Sequence, residues 1–317
     1  MISRRQLRIK ALQSLYAYYK NGRGEIASSE KALHDNINKA YELYHYLLIL
    51  VVDVALYAES RIEIARNKRI PTREDLHPNT RFIDNRLLYQ IRNNTSLLRF
   101  VEQHKLNWSC CPELLKECYG KLVESDFYQS YMEAEECSYA ADKKLITDFY
   151  THVVYPSELL SSLLEEQSIY WNDDLEFIIH MILKTIRKYR EGDGDDHPLM
   201  ALYKNSEDSE YVLELFRQTI VHRDEYVDYI KQNTRNWDLE RIAFMDILIM
   251  QMALAELVAF PSIPTKVTLN EYLEISKFYS TSRSSVFING VLDKVVLQLK
   301  EEKKFQKSGR GLVGENE

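Results

Sequence analysis

Glycine and proline are scarce in this chain, which has nine glycines and seven prolines among 317 residues. Strands joined by tight turns consume both residue types, so their scarcity favours helices with short connections. No window alternates apolar and polar residues for long enough to predict a half-buried strand. Because 45% of the residues are hydrophobic, the chain can bury a core of one large or two ordinary domains. We therefore predict an all-α globular protein.

The sequence also lacks a long hydrophobic segment. The longest apolar run, Leu47 to Leu56, is interrupted by Asp53 and is too short to span a bilayer. The first residues are basic, and no apolar stretch follows them as it would in a secretory signal. We expect a cytoplasmic protein that has no membrane partner.

The motifs of metal sites and of common active sites are missing as well. The four cysteines do not form paired Cys-x-x-Cys motifs, and His-Glu-x-x-His does not occur. The acidic segment 191–197 lacks the register of a calcium loop and is expected to be a flexible linker. No glycine-rich phosphate loop, nucleophile motif or methyl-donor nucleotide fold is recognisable. These absences predict a noncatalytic protein without a metal or cofactor.

Three helices are predicted between Trp237 and Leu299. From Leu239 to Ala259 apolar residues recur every three or four positions, which is the period of one buried helix face. Pro261 and Pro264 end that helix, and a shorter amphipathic helix follows. A third helix starts near Ser285 and contains Gly290, which costs about 1 kcal/mol relative to alanine. We expect that another backbone lies close to this glycine.

Three motifs within these helices follow one another in a characteristic order. They are Asp246-Ile247-Leu248 leading to Glu256-Leu257, Pro264-Thr265-Lys266-Val267 with Asn270-Glu271, and Phe287-Ile288-Asn289-Gly290-Val291-Leu292-Asp293. On these motifs the region resembles the C-terminal half of the NusB family of bacterial transcription antitermination factors. The resemblance implies NusB-like helical bundles, with additional helices inserted after the first helix. The alternative is an ordinary helical bundle in which these apolar residues only pack a core.

A basic segment opens the chain. On a helix Arg4, Arg8 and Leu12 share one stripe, which changes from charged to apolar along its length. We expect the second half of this helix to pack while its first turns project, offering guanidinium groups to phosphates and bases. A solvated helix end is the alternative. Since the net charge is −7, any RNA binding must come from such a local basic patch.

The family resemblance extends to this first helix. Its Ala11-Leu12-Gln13-Ser14-Leu15-Tyr16 is similar to the family's pattern after an arginine-rich turn, which implies binding of single-stranded boxA RNA. Phe287 is a candidate for stacking on an unpaired base, although a core role is equally open. Val286 stands where the family usually has lysine. The candidate RNA-binding residues are Arg4, Arg5, Arg8, Lys10, Phe287 and Asn289.

The resemblance also implies a protein partner. This is the small ribosomal subunit protein that doubles as NusE, acting with the transcription elongation complex on ribosomal RNA operons. The candidate partner-binding residues are Asp246, Glu256 and Arg283. Where the family commonly has a Glu-Asp pair before its Phe-Val-Asn-Gly motif, this chain has Ser282-Arg283. The contact is therefore expected to differ in charge from that of shorter family members.

The predicted organisation has four parts. Residues 1–20 form the arginine-rich first helix, 21–205 a helical insertion, 206–304 the NusB-like core and 305–317 a disordered tail rich in glycine and charge. Two other functions remain open besides an RNA-binding antitermination factor. One is a helical protein-interaction scaffold that has lost RNA binding, and the other is an accessory subunit of an RNA-modifying enzyme.

Overall fold

The computed structural model describes residues 1–22, 24–234 and 241–314, and these contain helices and turns but no strand. The predicted all-α class is confirmed. The α-helices are α1 Arg4–Lys20, α2 Ile26–Arg66, α3 Arg73–Leu76, α4 Arg86–Arg92, α5 Thr95–His104, α6 Pro112–Glu124, α7 Asp126–Glu133, α8 Tyr139–Asp148, α9 Glu158–Gln167, α10 Leu175–Lys188, α11 Ser206–Val221, α12 Arg223–Asn233, α13 Phe244–Ala259, α14 Thr265–Tyr279 and α15 Ser284–Glu301. None of these helices is long and apolar enough to cross a membrane.

The chain divides into two compact units. The core unit comprises Ile2–Ile37 and the chain from Tyr203 onward, and the insertion unit comprises Met1 and Asn38–Leu202. One boundary between the units falls between Leu202 and Tyr203, close to the predicted boundary at residues 205 and 206. The other falls within α2, because Leu33 and Ile37 in its first turns are buried in the core unit.

Helix α13 is the centre of the core unit. Residues 248–257 are all buried, so this helix has no solvent-exposed face over three turns. It packs against α1, α11, α12, α14 and α15. The sequence predicted one buried face, but a helix that is apolar nearly all round is surrounded by protein. The two polar members of this stretch, Gln251 and Glu256, therefore need partners inside the protein.

Two predicted boundaries in the core unit differ from the structure. The amphipathic pattern from Glu210 to Lys231 predicts a single helix, but the structure divides it at His222 into α11 and α12. Asp224 and Glu225 occupy the first turn of α12, where they favour a helix start through the dipole. The predicted start of α13 at Leu239 and the turn containing Trp237 lie outside the described residues.

The insertion unit is built around aromatic side chains on α2. The fully buried Trp108 stacks on Tyr46 with ring centroids 3.8 Å apart, and its indole N–H donates to the Tyr46 carbonyl at 2.8 Å. Asp53, which interrupts the apolar run, accepts the Trp108 backbone N–H at 3.0 Å. Burial raises the pKa of Asp53 and this hydrogen bond opposes the shift. A polar residue in the run thus anchors the loop before α6.

Two predictions for the insertion unit are corrected. The sequence pattern predicts one helix from Phe127 to Tyr150, but the structure interrupts it after α7, where Arg81 donates to the carbonyls of Ala134 and Glu136. The acidic segment 191–197, expected to be flexible, is held by side chains of α4 and of the α4–α5 turn. Gln90 donates to the carbonyls of Arg190 and Asp193 at 2.9 Å each. These bonds satisfy backbone carbonyls that a free linker would leave to water.

The tail is also more ordered than expected. Residues 305–314 lie along the turn between α13 and α14, and Gly309–Leu312 form a 3-10 helix. Lys307 donates to the carbonyls of Leu257 and Phe260 at 3.0 and 3.2 Å, which satisfies groups left over at the end of α13. Prediction of disorder from composition failed because the binding groups belong to another helix end.

We predict that Trp108→Ala lowers the free energy of unfolding by about 3–5 kcal/mol, the usual cost of a large aromatic cavity. Urea denaturation followed by circular dichroism measures the change. Ile70→Ala serves as the control, because Ile70 is 84% exposed and its loss should change stability by less than about 0.5 kcal/mol. A Trp108 variant as stable as the control would show that the stacked pair does not support the unit.

Candidate nucleic-acid interface

Each arginine in the first two turns of α1 faces a carboxylate on a different helix of the core unit. Ser3 caps α1, accepting the Gln6 backbone N–H at 3.3 Å. Arg4 contacts α11, Arg5 contacts α14 and Arg8 contacts α13. The arginine turn of α1 is thus attached to three helices rather than held away from them.

Arg8 and Glu256 form a bidentate ion pair inside the core unit. The Arg8 Nε and Nη2 atoms donate to the two Glu256 carboxylate oxygens at 2.7 and 2.8 Å, and both side chains are essentially inaccessible to solvent. Three hydroxyls also donate to this carboxylate: Tyr211 at 2.5 Å, Thr268 at 2.8 Å and Tyr272 at 3.2 Å. The carboxylate is therefore fully hydrogen-bonded, as a buried charge must be.

The ionisation of this network follows from its contacts. Burial alone raises the pKa of Glu256, but the hydrogen bond and charge of Arg8, with the Tyr211 and Thr268 hydroxyls, lower that pKa below its ordinary value. Burial alone lowers the pKa of Arg8, but Tyr211 and Glu256 raise it by more. The net result is a pKa above the ordinary value for arginine. Burial keeps the pKa of Tyr211 and Tyr272 well above the usual phenol value. Both phenols thus stay protonated and act as donors.

This arrangement corrects the expectation that the first turns of α1 project into solvent. Leu7 and Arg8 are buried, because α13 supplies a carboxylate opposite the charged end of the apolar stripe. Lys10, another RNA-binding candidate, is also buried, at 1% exposure. Neither Arg8 nor Lys10 presents its side chain to a nucleic acid in this conformation.

Arg4 and Arg5 remain partly exposed. Their side chains are 37% and 49% accessible. The Arg4 Nε atom lies 3.0 Å from the Asp208 carboxylate. The Arg4 guanidinium carbon lies over the Tyr211 ring, 4.9 Å from the ring centroid. Arg5 donates twice to Glu271, at 2.8 and 2.7 Å. A guanidinium has five N–H donors, so a bidentate pair leaves three of them for another acceptor.

An open cleft of about 710 Å³ lies beside these arginines, and we call it the arginine cleft. Arg4, Arg5 and a small part of Arg8 form one wall. The other walls come from the turn before α14, from α14 itself and from the tail, through Ser262, Ile263, Pro264, Val267, Glu271, Arg310 and Val313. Helices α1 and α14 both begin at this cleft, and their N-terminal ends favour anions.

The remaining candidates lie elsewhere in the core unit. Phe287 is half-buried and Asn289 is exposed on α15, where the Asn289 amide donates to Asp293 at 3.1 Å. Neither lines the arginine cleft. Asp246 is buried and accepts hydroxyl hydrogen bonds from Ser280 and Ser284, which hold the turn between α14 and α15. Arg283 is exposed in that turn.

The comparisons with known proteins agree with the motifs. The model of the NusB family matches residues 178–297. The transcription antitermination protein NusB of Salinibacter ruber is 37% identical over 139 residues, which cover 42% of this chain and 87% of that protein. The NusB protein of Finegoldia magna is 39% identical over 92 residues, covering 29% of this chain and 67% of the relative.

The chain belongs to the NusB family. A third relative, the NusB protein of Chloroherpeton thalassium, is 36% identical over 104 residues, or 33% of this chain and 49% of that protein. No solved structure matches the chain. The family match begins within α10 and so leaves out α1, which the fold nevertheless packs against α11 and α13.

The structure gives the acidic residues of the NusB motifs internal partners. Glu256 is fully buried and Asp246 is 6% exposed, so neither offers a carboxylate to a partner protein in this conformation. Glu256 holds α1 through Arg8, and Asp246 holds the turn that carries Arg283. The spacing of Arg8 on the same stripe as Leu12 and Leu15 was the signal for an internal partner.

Gly290 of the third NusB motif also differs from expectation. A Cβ placed on it would meet no atom within 4 Å, so no neighbouring backbone requires this glycine. It lies on an exposed stripe of α15 that includes Val286 at 78% and Leu297 at 63% exposure. The open position leaves room for the close approach of another molecule.

Within the ranges that the structure describes, no group of three or more His, Cys, Asp or Glu side chains could hold a metal ion. Sequence reasoning missed three residues at this site: Glu271 and Arg310, which line the arginine cleft, and Asp208, which pairs with Arg4. Only Glu271 belongs to a recognised motif, and the other two come together with α1 through the fold.

We predict that Arg8→Met or Glu256→Gln lowers the free energy of unfolding by about 3–5 kcal/mol, because each leaves a buried charge without its partner. The double variant should cost less than the sum of the two single changes. Urea unfolding at pH 7 measures all three. Additive single effects would contradict a direct interaction.

The same pair predicts a pH dependence. The pKa of Glu256 is lowered in the folded state, so its stabilisation is present above the ordinary value of 4.5 and is lost as the pH falls through the folded-state pKa. The difference in free energy of unfolding between the wild type and Glu256→Gln should therefore be largest at pH 7 and become smaller in acid. A difference that grows in acid would reverse this assignment.

Proposed function

We propose that this NusB family protein is a noncatalytic transcription antitermination factor that binds single-stranded RNA of the boxA type at the arginine cleft. The observation that carries the proposal is the pair Arg4 and Arg5, which keep exposed N–H donors at the edge of an open cleft where two helices begin. Such donors suit the oxygens of a phosphate. The matching relatives are named transcription antitermination proteins.

In this proposal Arg8 positions rather than contacts the RNA. Its buried ion pair with Glu256 sets the depth and rotation of α1 in the core unit. The carboxylates of Asp208 and Glu271 orient Arg4 and Arg5 in the same way. Oriented guanidinium groups lose less side-chain entropy when they bind a phosphate.

A protein-interaction scaffold that has lost RNA binding is the competing function. The observation that favours it is that all three arginines already have carboxylate partners within the core unit. A phosphate must then share or displace those partners. Salt dependence separates the two functions, because phosphate contacts release counterions and a scaffold has none to release.

We predict that Arg4→Gln/Arg5→Gln weakens binding of boxA-type RNA and flattens its salt dependence by about 0.7 in log–log slope for each lost phosphate contact. Fluorescence anisotropy at salt concentrations from about 50 to about 300 mM measures both the RNA affinity and its salt dependence. The matched control is Arg66→Gln/Arg69→Gln, which removes two exposed arginines of the insertion unit. If both double variants keep the wild-type slope, the scaffold function is preferred.

We further propose that the NusE-type ribosomal protein docks on the C-terminal helices, joining this protein to the elongation complex. The exposed stripe of α15 with Val286, Gly290 and Leu297 supports this surface. Arg283 stands at the adjacent turn, where the family commonly has acids. A basic turn selects a partner whose facing surface is acidic.

We predict that Arg283→Glu slows association with the partner from the same organism and speeds association with a partner from an organism with a short NusB protein. Surface plasmon resonance gives the on-rates, where charge changes at an interface rim act most. Lys31→Glu on α2 is the control, with the same charge change at another exposed position. Unchanged rates with both partners would place this turn outside the interface.

A further inference from the structure

The tail docks against the core unit through backbone contacts as well as through Lys307. The Ser308 N–H donates to the Pro261 carbonyl at 3.0 Å, and the Gly311 N–H closes the 3-10 turn on the Ser308 carbonyl at 2.9 Å. Pro261 belongs to the turn that leads into α14 and the arginine cleft. The tail is therefore attached at one wall of the cleft.

Gly311 is the residue that makes this close approach possible. It is buried, and a Cβ at this position would lie 2.0 Å from the Pro261 carbonyl oxygen and 3.1 Å from its carbonyl carbon. The obstructing atoms are backbone, which cannot move aside as a side chain can. Any larger residue at 311 must displace the tail.

Docking at Gly311 brings the neighbouring Arg310 to the arginine cleft. Arg310 lines the same cleft as Arg4 and Arg5 and is exposed to solvent. Arg4, Arg5 and Arg8 each pair with a carboxylate, whereas Arg310 has no ion pair among the residues that the structure describes. It can bind an acceptor from outside without giving up an ion pair to any residue within 1–22, 24–234 and 241–314.

We propose that Arg310 is a further phosphate-binding residue of the arginine cleft, and that tail docking through Gly311 places it there for single-stranded RNA. This inference rests on the proposed function and adds a cation that lies far from α1 in the sequence. An unpaired guanidinium loses no internal ion pair when it binds phosphate, so its net contribution should exceed that of a paired one.

The first test is Arg310→Gln, which removes the charge and leaves Gly311 in place. Its RNA affinity near 0.1 M salt should fall about three- to tenfold, and the log–log salt slope should fall by about 0.7, the value for one phosphate contact on a single strand. The matched control is Arg66→Gln, which removes one exposed arginine from the insertion unit. The control should keep both the wild-type affinity and slope.

The second test is Gly311→Ala, which keeps Arg310 but displaces it. Hydrogen exchange of the Ser308 and Gly311 amides, measured without RNA, should become faster because their hydrogen bonds are lost. RNA affinity should fall as much as in Arg310→Gln. The double variant should be no weaker than either single one, because both changes remove the same contact.

The outcomes separate this inference from the proposed function. If Arg4→Gln/Arg5→Gln reduces RNA binding but Arg310→Gln does not, the proposed function stands and the role of Arg310 is refuted. If Gly311→Ala frees the tail and RNA binds more tightly, the tail obstructs the cleft and the inference is overturned. If the wild type shows no salt-dependent RNA binding, the proposed function fails first.

Discussion

The buried carboxylate of Glu256 is the interaction centre on which the helices of the core unit converge. Helix α13 is enclosed by protein over residues 248–257, so a charge within that stretch has no access to water. Arg8 from α1 neutralises it, while hydroxyls from α11 and α14 complete its hydrogen bonds. Because a buried charge without partners is so costly, the position of α1 is coupled to those of three other helices.

This constraint organises the candidate RNA site. Once Arg8 is inserted, Arg4 and Arg5 fall at the rim of the arginine cleft, one turn or less from the buried pair, and each is steadied by its own carboxylate. The tail closes the opposite wall through Gly311 and contributes Arg310. Three segments that are distant in the chain thus line one opening with four arginines and one glutamate, in a protein whose net charge is −7.

The insertion unit has its own hydrophobic core and its own polar anchors, such as Asp53 and Gln90. Its helices were predictable where the sequence carries a start signal, which is a side-chain cap for α5 and α9 and a proline in the first turn for α6. Two predictions failed where a distant side chain satisfies backbone groups. Arg81 donates to the carbonyls after α7, and Gln90 donates to those of the acidic segment. Local patterns contain no information about such long-range donors.

The sequence by itself determined the all-α class and the family, because helical periodicity, sparse glycine and proline, and three ordered motifs are local properties of the chain. It also offered Arg4, Arg5 and Arg8 as RNA-binding candidates and assigned the same role to all three. Only the tertiary structure separated buried Arg8 from exposed Arg4 and Arg5, and brought Arg310 beside them. The reason is physical: whether a charge faces solvent or a carboxylate depends on the helices packed around it, and Glu256 is 248 residues from Arg8.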